Sequence, residues 1–151
     1  MEIKAIETSY KGYKFRSRLE ARYAIFFDSL GWKWEYEPEG FDLLGEYYLP
    51  DFILFSNEKS YWVEVKPQTN WGIEEGDRIL KKLVTLKKEP ALLLSGAPLT
   101  FVVMYEFSPK DDNFNHDWAY RSVLKLNGND INEAINKARS ARFEYKNDKH
   151  L

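Results

Sequence analysis

Cysteine is absent from this chain, and histidine occurs only at His116 and His150. The first absence removes disulfides, thiolate zinc sites and cysteine nucleophiles together, and two histidines so far apart do not make a histidine metal cluster. Hydrolytic chemistry here must use carboxylates, lysine or hydroxyls. Also missing is any uninterrupted apolar run approaching the ~18 residues of a membrane span. The first residues, Met1-Glu2-Ile3-Lys4-Ala5-Ile6-Glu7, put charges where a secretory signal needs its apolar stretch. The expectation is an intracellular, cytoplasmic protein with no membrane partner. Charge of one sign is not in excess: 22 Lys and Arg stand against 24 Asp and Glu, for a net charge of −2. Bulk electrostatics therefore gives no support to a nucleic-acid partner, and any such reading must rest on local clusters. Repeats, low-complexity tracts and long Pro/Gly/Ser linkers are lacking as well, so 151 residues read as one domain.

The chain does have apolar material, 44% hydrophobic and 17% aromatic, enough for a core without staples. From Ser17 to Leu30 the residues Leu19, Tyr23, Phe26, Phe27 and Leu30 recur at helical spacing. Ser17 is a good N-cap, Glu20 follows as in a capping box, and Gly31 is a stop signal. Trp32–Tyr36, Tyr47–Phe55 and Tyr61–Lys66 are rich in aromatic and β-branched residues and predict three strands. The polar residues 56–60 suit a hairpin connection between the second and third. Ile73–Lys88 predicts a second amphipathic helix, closed by Pro90, and Ala91–Leu94 a central strand covered on both faces. Phe101–Phe107 reads as another strand, Ser108–Asp117 as polar and turn-rich, Tyr120–Leu126 as a strand and Asp130–Phe143 as a last helix. The order is α-β-β-β-α-β with a β and α extension, hence an α/β fold with a sheet flanked by helices.

Chemistry concentrates in Pro50-Asp51 and Glu64-Val65-Lys66. Strand alternation puts Trp62, Glu64 and Lys66 on one face and Tyr61, Val63 and Val65 on the other. A hairpin closed through residues 56–60 places Asp51 opposite Glu64 or Val65, so two carboxylates lie within a few ångström across a strand pair. Pro50 cannot donate a ladder hydrogen bond, and the irregularity expected there can re-aim its neighbour. Two close carboxylates repel unless a cation lies between them, and an all-oxygen site suits Mg²⁺ or Mn²⁺. A lysine beside it can steady developing charge or help deprotonate a water. Singly, each has an ordinary account: Glu64 and Lys66 as a solvated ion pair, Pro50-Asp51 as a turn. Together, inside apolar strands, they point to a site.

Residues 13–22, the stretch Trp34-Glu35-Tyr36-Glu37-Pro38 and the stretch Tyr48-Leu49-Pro50-Asp51-Phe52, with Glu64-Val65-Lys66 thirteen residues beyond Asp51, resemble the PD-(D/E)xK nuclease superfamily. The likeness is narrowest to small uncharacterised nucleases of phage and bacterial genomes and covers about residues 13–96, leaving residues 97–151 as an extension. It implies a restriction-endonuclease-like α-β-β-β-α-β core with a mixed sheet. It also implies that Asp51, Glu64 and the Val65 carbonyl ligate Mg²⁺ or Mn²⁺, that Lys66 positions or activates the attacking water, and that Glu20 on the first helix joins the metal site. For Glu20 the capping box with Ser17 is the competing role. The glutamine-and-tyrosine motif of helicase-linked relatives is not found on the second helix.

Lys11, Lys14, Arg16, Arg18 and Arg22 gather around the start of the first helix, where a helix N-terminus and cations favour a phosphate backbone. The lysines of the second helix and the basic residues of the tail read as solvated faces. Trp34, Tyr36, Tyr48, Phe52 and Trp62 read as core. Trp71, in a Gly-containing loop after the third strand, is the candidate for base stacking; Gln68 reads as a loop residue, and His116-Asp117 and Asp111-Asp112 as exposed loop and turn. The function implied by the resemblance is Mg²⁺-dependent hydrolysis of DNA phosphodiesters, endonucleolytic in mode. Alternatives are a structure-selective or site-specific endonuclease, junction-resolving or homing, acting as a homodimer or higher homo-oligomer, and a non-catalytic nucleic-acid or protein-binding module of the same fold.

Overall fold

Wholly apolar runs such as Ala91–Leu94 give the middle of the sheet two greasy faces, and each recruits a helical layer. The computed structural model describes residues 5–56, 59–110, 113–117 and 128–143. In chain order the elements are β1 (Thr8–Tyr10), β2 (Tyr13–Phe15), α1 (Arg18–Ser29), β3 (Lys33–Tyr36), β4 (Phe41–Leu43), β5 (Glu46–Tyr48), β6 (Phe52–Ser56), β7 (Lys59–Lys66), α2 (Asn70–Lys87), β8 (Ala91–Ser95), β9 (Phe101–Ser108), β10 (Asn113–Asp117) and α3 (Gly128–Arg139).

Among the described residues six strands form the main sheet in the order β10-β9-β8-β7-β6-β3. Every pair is antiparallel except β7 and β8, which run parallel and are joined through α2. The mixed sheet follows from that connection, because a parallel pair needs a crossover of helix length. On one face α1 and α3 bury Ala21, Phe27, Ile131 and Ala138 against Phe52, Val63, Val65 and Leu92. On the other, α2 lays Ile79, Leu80, Leu83 and Val84 on Trp62, Leu93 and Val103, with Leu43 and Tyr48 of the β4–β5 hairpin beside them. β7 shows the expected alternation: Tyr61, Val63 and Val65 face the α1 side, and Trp62 the α2 side. Among the described residues no helix is long and apolar enough to cross a membrane.

The first helix begins and ends where its signals lie. Ser17 has extended backbone and its Oγ accepts from the Glu20 amide at 3.1 Å, while Gly31 takes φ 76°, the left-handed stop that a side chain would oppose.

Elsewhere the backbone departs from the sequence expectations. Strand pairing runs through Ser56 and Lys59 and includes Phe55 opposite Ser60, so the ends of the stretch expected as a five-residue loop belong to the strands. The stretch expected as one strand over Tyr47–Phe55 is two: β5 pairs with β4 in a sheet of its own, and β6 starts after the break at Pro50 and Asp51. α2 starts at Asn70, because Thr69 caps it by accepting from the Gly72 amide at 2.9 Å, and so takes in Trp71 and Gly72, which read as loop. Asn113–Asp117, expected within a turn-rich loop, is a strand paired with β9, and His116 and Asp117 belong to it. The hairpins β1–β2 and β4–β5 were not signalled, their strands of three residues being too short for a periodic pattern. The expected strand over Tyr120–Leu126 and the turn at Asp111-Asp112 lie outside the described residues.

Phe52 is fully buried, its ring 5.4 Å from Phe27 and Tyr36 and 5.7 Å from Trp34. Phe52→Ala should cost about 3–5 kcal/mol in urea unfolding, with Phe52→Leu losing far less; a loss below about 1 kcal/mol would contradict this packing.

Candidate active site

Pro50 has no amide hydrogen for a ladder, and the chain resumes pairing directly after it. The Asp51 amide donates to the Val63 carbonyl at 3.0 Å, and the β6–β7 register continues as Phe52 opposite Val63 and Ile53 opposite Trp62. Asp51 thus stands at the start of β6 on the level of Glu64, as the hairpin register requires. Both are buried, Asp51 to 4% exposure and Glu64 to 7%.

Each of these acids divides its oxygens between a neutral donor and a cation. Asp51 Oδ2 accepts from the Val65 amide at 2.7 Å, and Oδ1 faces an Arg16 guanidinium nitrogen at 3.2 Å. Glu64 Oε1 accepts from the Tyr48 hydroxyl at 2.6 Å, and Oε2 faces Lys66 Nζ at 3.3 Å. Burial first, then the charges of Glu64 and Glu20, push the Asp51 pKa well above the usual carboxylate range, against the Val65 amide and Arg16. Burial also raises Glu64, opposed by Tyr48 and Lys66. Tyr48 is itself driven far above a normal phenol by burial and by the Glu64 charge, so it stays a hydrogen donor.

Glu20 is buried to 6% exposure but belongs to a neighbouring set. Its Oε1 accepts from the Arg16 amide at 2.9 Å and from the Tyr36 hydroxyl at 2.8 Å. Half of the capping box is present, Ser17 onto the Glu20 amide; the reciprocal bond reaches the amide of Arg16. The carboxylate still lies close enough to raise Asp51. Among the described residues no three His, Cys, Asp or Glu side chains are grouped closely enough to hold a metal ion; Asp51 and Glu64 form a pair, with Glu20 outside it.

Two glycines that the sequence reading passed over bring α2 onto the site. Gly72 and Gly76 share a face of that helix, and a Cβ added at them would lie 3.5 Å from Lys66 Cβ and 3.3 Å from Lys66 Cγ. The helix therefore packs directly on the lysine stem, confining the half-buried side chain. Trp71, in the first turn of α2 and 69% exposed, has its ring centroid 5.6 Å from Lys66 Nζ. Gln68 is exposed and packs against Gly96.

The basic cluster is divided by its partners. Lys11 pairs with Asp28 at 3.2 Å. Arg22 donates to the carbonyls of Ala138, Arg139 and Ala141 at 2.9–3.0 Å and so caps the C-terminal end of α3. Arg16 bridges Asp51 and Glu37. Lys14 and Arg18 form no ion pair with a described residue. Tyr36 and Tyr48, expected only as core, are the residues the sequence reading missed; the signal available was that a buried tyrosine hydroxyl needs a partner.

The hairpin carrying Tyr48 is fixed to α2 through Glu46, which receives Arg78 at 2.7 Å and Lys82 at 3.0 Å and is held at a pKa of about 2 by those two partners.

Two outcomes follow for the chain kept free of metal by a chelator. The unfolded Asp51 carboxyl ionises near pH ~4, whereas the folded one holds its proton to higher pH. Folding is thus favoured by Asp51 at acid pH, and that contribution fades as pH rises from about 4 through the raised value. Thermal midpoints measured from pH 4.5 to 8 should fall for the native chain relative to Asp51→Asn, and a constant gap would contradict the burial. Gly72→Ala should lose about 1–3 kcal/mol in urea although alanine favours helix, because its Cβ would stand 2.8 Å from the Pro67 backbone carbonyl; a stabilised variant would contradict the close approach. No family model, no curated protein and no solved structure matches this chain.

Proposed function

We propose that the chain is a metal-dependent deoxyribonuclease that hydrolyses phosphodiester bonds within DNA. The observation that carries this reading is the buried pair Asp51 and Glu64, contributed by adjoining antiparallel strands, with Lys66 on the same strand at 3.3 Å from Glu64. Buried acids of this kind need positive charge close by, and the side chains supply it to only one oxygen of each. A hard divalent ion with oxygen ligands fits such a donor set.

Asp51, Glu64 and the Val65 carbonyl would hold Mg²⁺ or Mn²⁺, with Glu20 the outer acid. When bound, the ion supplies charge neutralisation on the phosphate and lowers the pKa of a water in its shell. The protein's own groups do the remainder. Tyr48 keeps Glu64 oriented through its hydroxyl, and the Val65 amide does the same for Asp51. Lys66, its stem confined by Gly72 and Gly76, presents an ammonium that orients the attacking water and donates to a phosphate oxygen. Lys14, Arg16 and Arg18, at the start of α1, are the cations that would meet the strand backbone; Lys11 and Arg22 have partners within the fold.

Supercoiled and linear DNA incubated with Mg²⁺ should be cut by the native chain, with a loss of about 100-fold or more in Asp51→Asn and in Lys66→Ala. Undiminished cleavage by Asp51→Asn would overturn the assignment. Calorimetric absence of Mg²⁺ and Mn²⁺ binding, with DNA affinity intact, would replace it by a non-catalytic binding module.

A further inference from the structure

Asp51 Oδ2 is oriented by the Val65 amide at 2.7 Å, which leaves Oδ1 as the oxygen that no backbone amide holds. Oδ1 is the atom that Arg16 touches. We propose that Arg16 is a built-in counter-ion which a divalent metal displaces from Asp51, and that the released guanidinium then binds a nucleic-acid phosphate, so that metal and nucleic acid bind cooperatively. This rests on the metal-site reading above.

The contact is made for exchange. It is monodentate and long, one guanidinium nitrogen at 3.2 Å, where a forked arginine–carboxylate pair has two bonds near ~2.8 Å. The same nitrogen holds Glu37 Oε2 more tightly, at 2.7 Å. Glu37 is therefore a tether: when Asp51 lets go, the guanidinium stays at the edge of the site. The root of the side chain is fixed as well, because the Arg16 amide donates to Glu20 at 2.9 Å and to the Tyr36 hydroxyl at 3.0 Å. A fixed root, a tethered head and a side chain that is 60% exposed describe a pivot. Metal at Asp51 and Arg16 at Asp51 exclude each other by charge as well as by space, since both would stand against one carboxylate oxygen.

The freed guanidinium is a planar fork of donors that can meet two oxygens of a phosphate at once. In sequence it lies between Lys14 and Arg18, two cations that pair with no described acid. Metal binding thus converts Arg16 from an acid's partner into part of a cationic mouth. By reciprocity, a bound strand that draws Arg16 away from Asp51 clears the oxygen for metal.

Mn²⁺ titrations by calorimetry on the native chain, Arg16→Gln and Arg16→Lys test the exchange. They are paired with anisotropy of a fluorescent phosphorothioate oligonucleotide, which resists hydrolysis, at zero and saturating Mn²⁺. Arg16→Gln should bind Mn²⁺ about fivefold or more tightly than the native chain and lose the increase in oligonucleotide affinity that Mn²⁺ gives the native chain. Arg16→Lys, which retains the positive charge and guards against a folding defect, should fall between the two. Equal or weaker Mn²⁺ binding by both variants, with the native chain binding Mn²⁺ normally, overturns this proposal alone. A native chain that binds no Mn²⁺ overturns it together with the metal reading.

Discussion

Two carboxylates facing one another inside a protein are tolerable only if positive charge or a proton sits with them, and much of this molecule is arranged around that requirement. Asp51 and Glu64 come from adjoining strands and are almost wholly removed from solvent. Water does not dissipate their repulsion, so the surroundings must. An amide, a phenol, a guanidinium and an ammonium answer the four carboxylate oxygens one by one. Burial nevertheless prevails, and both acids bind protons more firmly than they would in water.

The fold delivers these groups from separate places. The antiparallel hairpin supplies both acids and the lysine; α2, carried back by the parallel crossover, clamps the lysine stem at two glycines; the β4–β5 hairpin brings the phenol; and the segment leading into α1 brings the arginine. A site assembled from four segments sits where the sheet's pairing is interrupted by Pro50, which leaves the following carboxylate free to turn toward the Val65 amide. The helical layers serve chiefly to dry it.

Local signals made the acid pair legible, because the centre of the polar stretch 56–60 sets the hairpin register to within a residue even though the strands run further into it than expected. Pairing of Phe52 with Val63 and of Ile53 with Trp62 puts Asp51 level with Glu64. The ends of α1 were readable for the same reason, Ser17 and Gly31 being residues whose cap and stop geometry is local. What could not be read was long-range. Nothing near Arg22 in sequence announces that its guanidinium caps α3, more than a hundred residues away. Nothing near Tyr48 or Tyr36 says which carboxylate its hydroxyl will find. Nothing local marks Gly72 and Gly76 as contact surfaces, since the Lys66 stem that needs the space comes from another element. Residues 113–117 are polar apart from Phe114, and their strand form goes with pairing to β9, a partner that local signals do not announce.

The β4–β5 hairpin forms a sheet of its own with three-residue strands, tied to the rest by Leu43, Tyr48, the Phe41 ring on Trp62 and the exposed ionic cluster at Glu46. Such a unit opens at lower free energy than the six-stranded sheet behind it. Amide hydrogens of residues 41–48 should therefore exchange ahead of those in β7 and β8, and rising ionic strength, by screening the Glu46 cluster, should hasten that opening. Each such excursion lifts the Tyr48 hydroxyl off Glu64 and lets water reach a carboxylate that the closed state keeps dry.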